Sequence, residues 1–203
     1  MVVIINYGMG NLHSVYTQCK RIGFKTLISS KKSEIIKADK LILPGVGHFS
    51  KGMEKLIELD LIEILSNKVL RDQTPILGIC LGMQLFGNKS EEGNAKGLGW
   101  IEAETVKFKS EINKDYKIPH MGWNNLITKK KSNLINGVDT DDEFYFVHSY
   151  HLRNVKKNII LGITDYGYSF VSVIQKNNIY GTQFHPEKSH NSGLKILNNF
   201  LEL

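Results

Sequence analysis

The chain has 203 residues, 41% hydrophobic and 23% charged, with two cysteines and a formal net charge of +6 at pH 7. That is enough for one domain with its own core, read here as a single domain over 1–203, and it excludes a disordered or disulfide-framed chain. No apolar run approaches membrane-spanning length, and the lysine clusters (Lys129-Lys130-Lys131, Lys156-Lys157) lack interleaved aromatics or a nucleic-acid motif, so no membrane and no nucleic acid are expected as partners.

The N-terminal half alternates strand and helix. Val2 to Asn6 is a continuous apolar run, as for a strand buried on both faces. Tyr7-Gly8-Met9-Gly10 reads as a tight turn, and Asn11 as the cap of a helix with Leu12, Val15, Cys19 and Ile22 at helical spacing. Phe24–Ser29 is a second strand, Ser33–Lys37 a short helix, and Lys40–Leu43 a third strand stopped by Pro44. Helices follow over Phe49–Ile57 and Leu61–Leu70, then a fourth strand over Thr74–Ile79. This alternation predicts an α/β fold with a mainly parallel sheet covered on both faces.

The C-terminal half changes character. Trp100–Phe108, Phe144–Tyr150, Ile159–Thr164, Ser169–Gln175 and Asn178–Phe184 all read as strands, with short connections at Gly167 and Asn177-Asn178. Antiparallel additions to the sheet are expected there. Ser110–Pro119 is the most irregular stretch, and a last helix, Asn191–Leu201, buries Leu194, Ile196, Leu197 and Phe200.

The most informative segment is Gly78-Ile79-Cys80-Leu81-Gly82. An apolar strand leads into a cysteine and a helix leads away, with glycine at minus two and plus two. That is the pattern of a nucleophile elbow with sulfur as the nucleophile. Unpaired N–H groups at the start of the following helix favour thiolate over thiol. Read alone, the pentapeptide fits equally a buried strand-end cysteine acting as a small hydrophobe. Cys19, on an apolar helical stripe, reads as core. Two cysteines and the absence of a signal-peptide pattern in Met1-Val2-Val3-Ile4-Ile5 point to a reducing, cytoplasmic location.

A thiolate nucleophile needs a base and a group to orient it. Gln183-Phe184-His185-Pro186-Glu187 ends a strand, and an extended backbone at His185 would let His185 and Glu187 share one face. Leu43-Pro44-Gly45-Val46-Gly47 follows another strand and offers a backbone N–H beside that of Leu81 as an oxyanion hole. All three segments fall at carboxyl ends of strands, where open α/β sheets bind ligands.

Taken together and in this order, these motifs resemble the class I (triad) glutamine amidotransferases, whose fold is flavodoxin-like. Tyr7-Gly8-Met9-Gly10-Asn11-Leu12, Pro119-His120-Met121-Gly122-Trp123-Asn124, Tyr145-Phe146-Val147-His148-Ser149-Tyr150 and His185-Pro186-Glu187-Lys188-Ser189 are similar, more narrowly, to the glutaminase subunits of imidazole glycerol phosphate synthases. The resemblance implies that L-glutamine is hydrolysed to glutamate and ammonia; no cofactor is expected, and no metal, since the histidines lack ligand spacing with cysteines or acids. It implies that the ammonia passes to a partner (β/α)8-barrel cyclase in a heterodimer serving histidine biosynthesis. By the same resemblance Cys80 is the nucleophile, His185 the base and Glu187 its orienter, with Val46, Gly47 and Leu81 at the oxyanion hole. Gly47, Gln84, Glu92, His148, Ser149 and Tyr150 would hold glutamine. Asn11, Pro119, Met121, Trp123 and Lys188 would face the cyclase, Trp123 reading equally as a core aromatic. Asn6 departs from the family's usual aspartate, and His13, His151 and His190 are unfamiliar in their positions. A paralogue feeding ammonia to a sugar-amidinating enzyme, a catalytically silent regulatory module and a γ-glutamyl peptide hydrolase stay open at this point.

Overall fold

The computed structural model describes residues 1–109 and 116–203. Residues 110–115, most of the stretch expected to be irregular, lie outside it. The first strands and helices are β1 (Val2–Ile5), α1 (Leu12–Ile22), β2 (Thr26–Ser29), α2 (Lys32–Ile36), β3 (Lys40–Gly45), α3 (Phe49–Glu58) and α4 (Ile62–Ser66). Then come β4 (Ile76–Cys80), α5 (Leu81–Leu85), β5 (Lys89–Ser90), β6 (Ala95–Lys96), β7 (Glu104–Lys107), β8 (His120–Asn125) and β9 (Ile127–Thr128). The chain closes with β10 (Glu143–His148), β11 (Tyr150–Arg153), β12 (Ile160–Tyr166), β13 (Tyr168–Lys176), β14 (Ile179–Thr182) and α6 (His190–Glu202).

One sheet runs through both halves in the order β2-β1-β3-β4-β14-β13-β11-β7-β5-β6, with β12 and β9 branching from β13. The first five strands are parallel, in the doubly wound order of flavodoxin-like folds. β13 then turns antiparallel to β14, and β11 and β7 continue antiparallel. β8 and β10 form a separate antiparallel pair. Strand alternation sorts the core into two layers. Val3, Ile5, Leu41, Leu43 and Ile76 pack on one face with Ile35, Leu56, Leu65 and Leu85. Val2, Ile4, Ile42, Leu77 and Ile79 pack on the other with Val15, Cys19, Ile196 and Phe200. Cys19 is core, and burial pushes its thiol up to about 12. Among the described residues no helix is long and apolar enough to cross a membrane, and no cluster of His, Cys, Asp and Glu could hold a metal ion.

Several expectations change. Pro44 does not stop β3, which continues to Gly45 with Pro44 paired to Ile79. Leu41 N–H bonds Pro75 O on the β4 side, so by alternation position 44 faces β1, whose pairing has already ended at Ile42; the missing N–H costs no ladder bond. Asn11 makes no side-chain cap; its carbonyl simply receives the Val15 N–H. The helix expected over Leu61–Leu70 is α4 followed by a widened π turn at Asn67–Arg71. Trp100–Ala103 is not strand, because Trp100 N–H and Ile101 N–H both bond Phe86 O and bend the chain. In α6, Gly193 is buried where Leu194 was expected to be; Leu194 is half-buried. The strand expected over Phe144–Tyr150 breaks at Ser149, where β10 leaves for β8 and β11 joins β7 and β13.

Candidate active site

Strands β3, β4 and β14 lie side by side and end on the same side of the sheet, and each delivers a segment of the site. Cys80 closes β4 opposite Gly45 of β3, while Ile79 pairs Thr182 of β14, three residues before His185. Cys80 adopts φ 53° and ψ −108°, a conformation that costs a non-glycine residue about 1–3 kcal/mol. The surroundings force it. A Cβ at Gly82 would overlap the Leu43 carbonyl oxygen, and one at Gly78 would lie 2.6 Å from Met83 N. The two glycines therefore let α5 start hard against β3 and β4. With five residues, α5 has little macrodipole, so its unpaired N–H groups carry what electrostatic effect the turn exerts on sulfur.

His185 is extended, as expected, but the chain turns directly after it instead of continuing extended to Glu187. Pro186–Lys188 is a single 3-10 turn with proline in its first turn, and it brings His185 Nδ1 within 2.9 Å of Glu187 Oε1. Both side chains are buried. His185 Nε2, on the far side of the ring, is buried with no hydrogen-bond partner among the described residues. Burial disfavours the imidazolium, but the adjacent Cys80 sulfur and then Glu187 more than offset it, so His185 is held above the usual histidine range. The segment is pinned to β10: His185 N–H donates to Tyr145 O at 2.9 Å, and Ser189 Oγ accepts from Tyr145 N–H while donating to His185 O. This docking carries the Val147 carbonyl to 4.0 Å from Cys80 Sγ.

The cavity at Cys80 has a volume of about 340 Å³, and its lining unites segments far apart in the chain. Val46 and Gly47 come from the loop after β3, Leu81 and Gln84 from α5, Glu92 from the β5–β6 turn, and His148, Ser149 and Tyr150 from the break between β10 and β11; Pro119 and Val147 complete it. Every oxyanion and glutamine-holding residue expected from the sequence is there. Gln84 is less free than a simple ligand: its Nε2 donates to Tyr150 O at 2.9 Å and to Gln183 Oε1 at 3.1 Å. Glu92 is likewise half committed, its Oε2 accepting the Phe49 N–H at the start of α3. Tyr7, buried beneath the loop at Gly45, has a hydroxyl without a partner among the described residues; burial and then the Cys80 sulfur push its ionisation up. A larger groove of about 690 Å³ lies beside Lys130, Lys156 and Tyr180, but it holds no nucleophile and base together.

The residue that sequence reasoning left without a role is Gln183, whose Nε2 lies 3.5 Å from Cys80 Sγ. The available signal was its place two before His185. The histidines were also undervalued. His148 Nδ1 donates to the Tyr150 carbonyl at 2.8 Å, which leaves Nε2 to accept from His120 Nδ1 at 3.1 Å. Burial lowers His148 well below the usual range and His120 to about 4, and His151, which accepts from Tyr168 OH, is lowered too. A lowered histidine is a neutral group that the unfolded chain protonates first, so its stabilisation is present above about pH 6.5 and is lost as pH falls towards 4. His185, raised, adds no slope in that window because both states hold its proton there. Thermal unfolding should therefore show a falling melting temperature from pH 6.5 to 4, worth roughly 3 kcal/mol for His120 alone, and His120→Asn should flatten it. Parallel curves for the two proteins would refute the assignment.

Of the positions expected to face a partner, Met121 is 61% and Trp123 42% exposed, on the outer face of β8. Pro119 and Lys188 are exposed and Asn11 half-exposed. Trp123 is thus a surface aromatic: one face stacks on His190 at 4.9 Å, and Lys188 Nζ sits 5.7 Å over the neighbouring Tyr145 ring.

The family description "Glutamine amidotransferase class-I" matches residues 3–203. The chain belongs to the class I glutamine amidotransferases. Within that family it is 51% identical to "Imidazole glycerol phosphate synthase subunit HisH 2" of Methanococcus maripaludis, over 100% of this chain and 99% of that protein. It is 48% identical to subunit HisH 1 of Campylobacter jejuni, over the full length of both. Among solved structures, a putative GMP synthase protein of Thermoplasma acidophilum shares the amidotransferase fold at 20% identity, with a TM-score of 0.73 over 99% of this chain and 92% of that one.

Proposed function

We propose that this amidotransferase is the glutaminase subunit of an imidazole glycerol phosphate synthase, hydrolysing glutamine and passing ammonia to a (β/α)8-barrel cyclase in a heterodimer. The single observation that carries the chemistry is the convergence of Cys80, Gln84, Glu92, His148, Ser149 and Tyr150 around one cavity, with the buried His185–Glu187 pair beside the Cys80 sulfur. Full-length identity to synthase subunits supports the pathway.

On this reading Cys80 Sγ, its proton already held on the raised His185, attacks the side-chain amide carbon of glutamine as the thiolate. The developing oxyanion takes N–H groups from Gly47 and Leu81, one such donor being worth about 10²–10³ in rate. His185, held charged by Glu187, returns the proton to the departing nitrogen and leaves a γ-glutamyl thioester. His185 then takes a proton from water, the hydroxide adds to the thioester, and the C–S bond breaks to give glutamate. Ammonia released into neutral water would protonate and cease to be a nucleophile, so enclosed delivery to a docked cyclase preserves it.

Pro119 lines the cavity and stands two residues before Met121, which with Trp123 is exposed on β8. An exposed tryptophan on a rigid strand is the type of residue that dominates an interface. Trp123→Ala should weaken binding of the cyclase by at least about tenfold in titration calorimetry. Mixing chain and cyclase with glutamine and the phosphoribulosyl substrate should yield imidazole glycerol phosphate. Failure to co-purify, or a product from a sugar-amidinating enzyme instead, would overturn the pathway.

A further inference from the structure

We propose that Gln183 is a catalytic residue of this site, donating a hydrogen bond to the Cys80 sulfur that favours thiolate over thiol and stabilises that thiolate again as it leaves the thioester. The proposal deepens the glutaminase reading and rests on it for the second half.

The orientation of the Gln183 amide is fixed by groups that have no choice. The Tyr150 carbonyl can only accept. It takes an N–H from His148 Nδ1 at 2.8 Å and another from Gln84 Nε2 at 2.9 Å. With its NH2 on Tyr150, Gln84 also donates to Gln183, so the Gln183 atom facing it at 3.1 Å is the oxygen. That leaves the Gln183 NH2 to point at Cys80 Sγ, 3.5 Å away. Gln183 is wholly buried at the end of β14, and its backbone N–H is held by Ser172 O at 2.8 Å. The donor is therefore aimed in advance and needs no reorganisation when charge appears on sulfur. A hydrogen bond to an anion is about twice as strong as one to a neutral acceptor, so this contact shifts the equilibrium towards the charged form.

The same contact works in both directions of the reaction. When the thioester forms, sulfur becomes a poor acceptor and the bond weakens. When the hydrated thioester collapses, the C–S electron pair returns to sulfur, the Gln183 N–H meets it, and the proton taken from water stays on His185. The other titratable groups around this sulfur are His185 and Glu187 after β14, Tyr7 after β1, His148 on β10 and Glu92 on the β5–β6 turn, and a Gln183 variant retains all of them.

The test reads sulfur directly. Iodoacetamide alkylation of Cys80 in the full-length chain across pH, followed by mass spectrometry of its peptides, gives the thiolate profile whether or not glutamine is the substrate; the peptides report Cys19 separately. Gln183→Leu removes the donor, and Gln183→Glu replaces it with an acceptor of the same shape. Both should move the alkylation midpoint upward, making labelling at pH 7 at least about tenfold slower. In glutamine hydrolysis kcat should fall with KM little changed, because the side chain touches the sulfur. Alkylation profiles that coincide with the parent in a variant retaining its melting transition would overturn the proposal. A shifted profile in a chain that releases no ammonia would uphold the sulfur contact and refute the glutaminase reading instead.

Discussion

Cys80→Ala is expected to lower glutamine-dependent synthesis by the cyclase complex by at least about 10⁴-fold while leaving synthesis from added ammonium salts intact. Loss of the sulfur removes the only group in the cavity positioned to form a thioester with His185 as its proton partner, among the described residues. It does not touch the proposed docking strand, where Met121 and Trp123 face outward. The side-chain hydrogen bonds at this sulfur are a long approach to the Val147 carbonyl and one to the Gln183 amide; backbone hydrogen bonds already hold β10 to the His185 segment and β14 to β4, so the fold should survive the change. Product formation from both nitrogen sources should be compared at equal complex concentration. If ammonium-dependent synthesis disappears as well, Cys80 is holding the assembly together and its role as nucleophile fails.

Gly82→Ala should be nearly as damaging through structure alone. The new methyl would overlap a backbone carbonyl oxygen, Leu43 O, on a central strand that cannot bend away. Overpacking of a core costs about 1–3 kcal/mol, and a backbone obstacle belongs at the upper end. For a chain of this size that is a loss of roughly 6–12 °C in melting temperature. Turnover should fall with it, since any relief moves Leu81 N–H or Cys80. Gly52→Ala in α3 is the contrasting substitution. Its methyl would meet Leu81 and Leu85 side chains at 3.4 Å, ordinary packing, and replacing a helical glycine should be neutral or mildly stabilising. Equal melting temperatures for the two variants would sink the close-approach argument.

The parallel half of the fold was legible because β1, β3 and β4 are short apolar runs separated by amphipathic helices, and each follows a single rule of periodicity. The elbow was legible for a similar reason: only a small residue fits at positions 78 and 82, and the sequence shows it. The antiparallel half was harder. β5, β6 and β9 have two residues each and too little pattern to detect. β8 escaped because its outer face carries Met121 and Trp123, so the usual inside-apolar alternation is obscured. Phe144–Tyr150 reads as one strand because nothing in Ser149 announces that the chain changes sheet there. Residues expected from the motifs at the oxyanion hole and around glutamine line one cavity, whereas Gln183 and the His120–His148 pair depend on contacts across the sheet that no local pattern encodes. Glu92 shows a further limit: its carboxylate serves the start of α3 as well as the cavity, a double duty invisible in sequence.

Strand β10 is a shared seam. Phe144, Phe146 and His148 turn their backbone groups towards β8, while Tyr145 turns both of its own to the His185–Ser189 segment. The outer ribbon that carries Trp123 and the peptide that carries His185 are therefore stitched to opposite selvedges of one strip of main chain, each about 5 Å from its centre line. The place of the ribbon on the surface and the place of the imidazole in the site are thus both set by one strand.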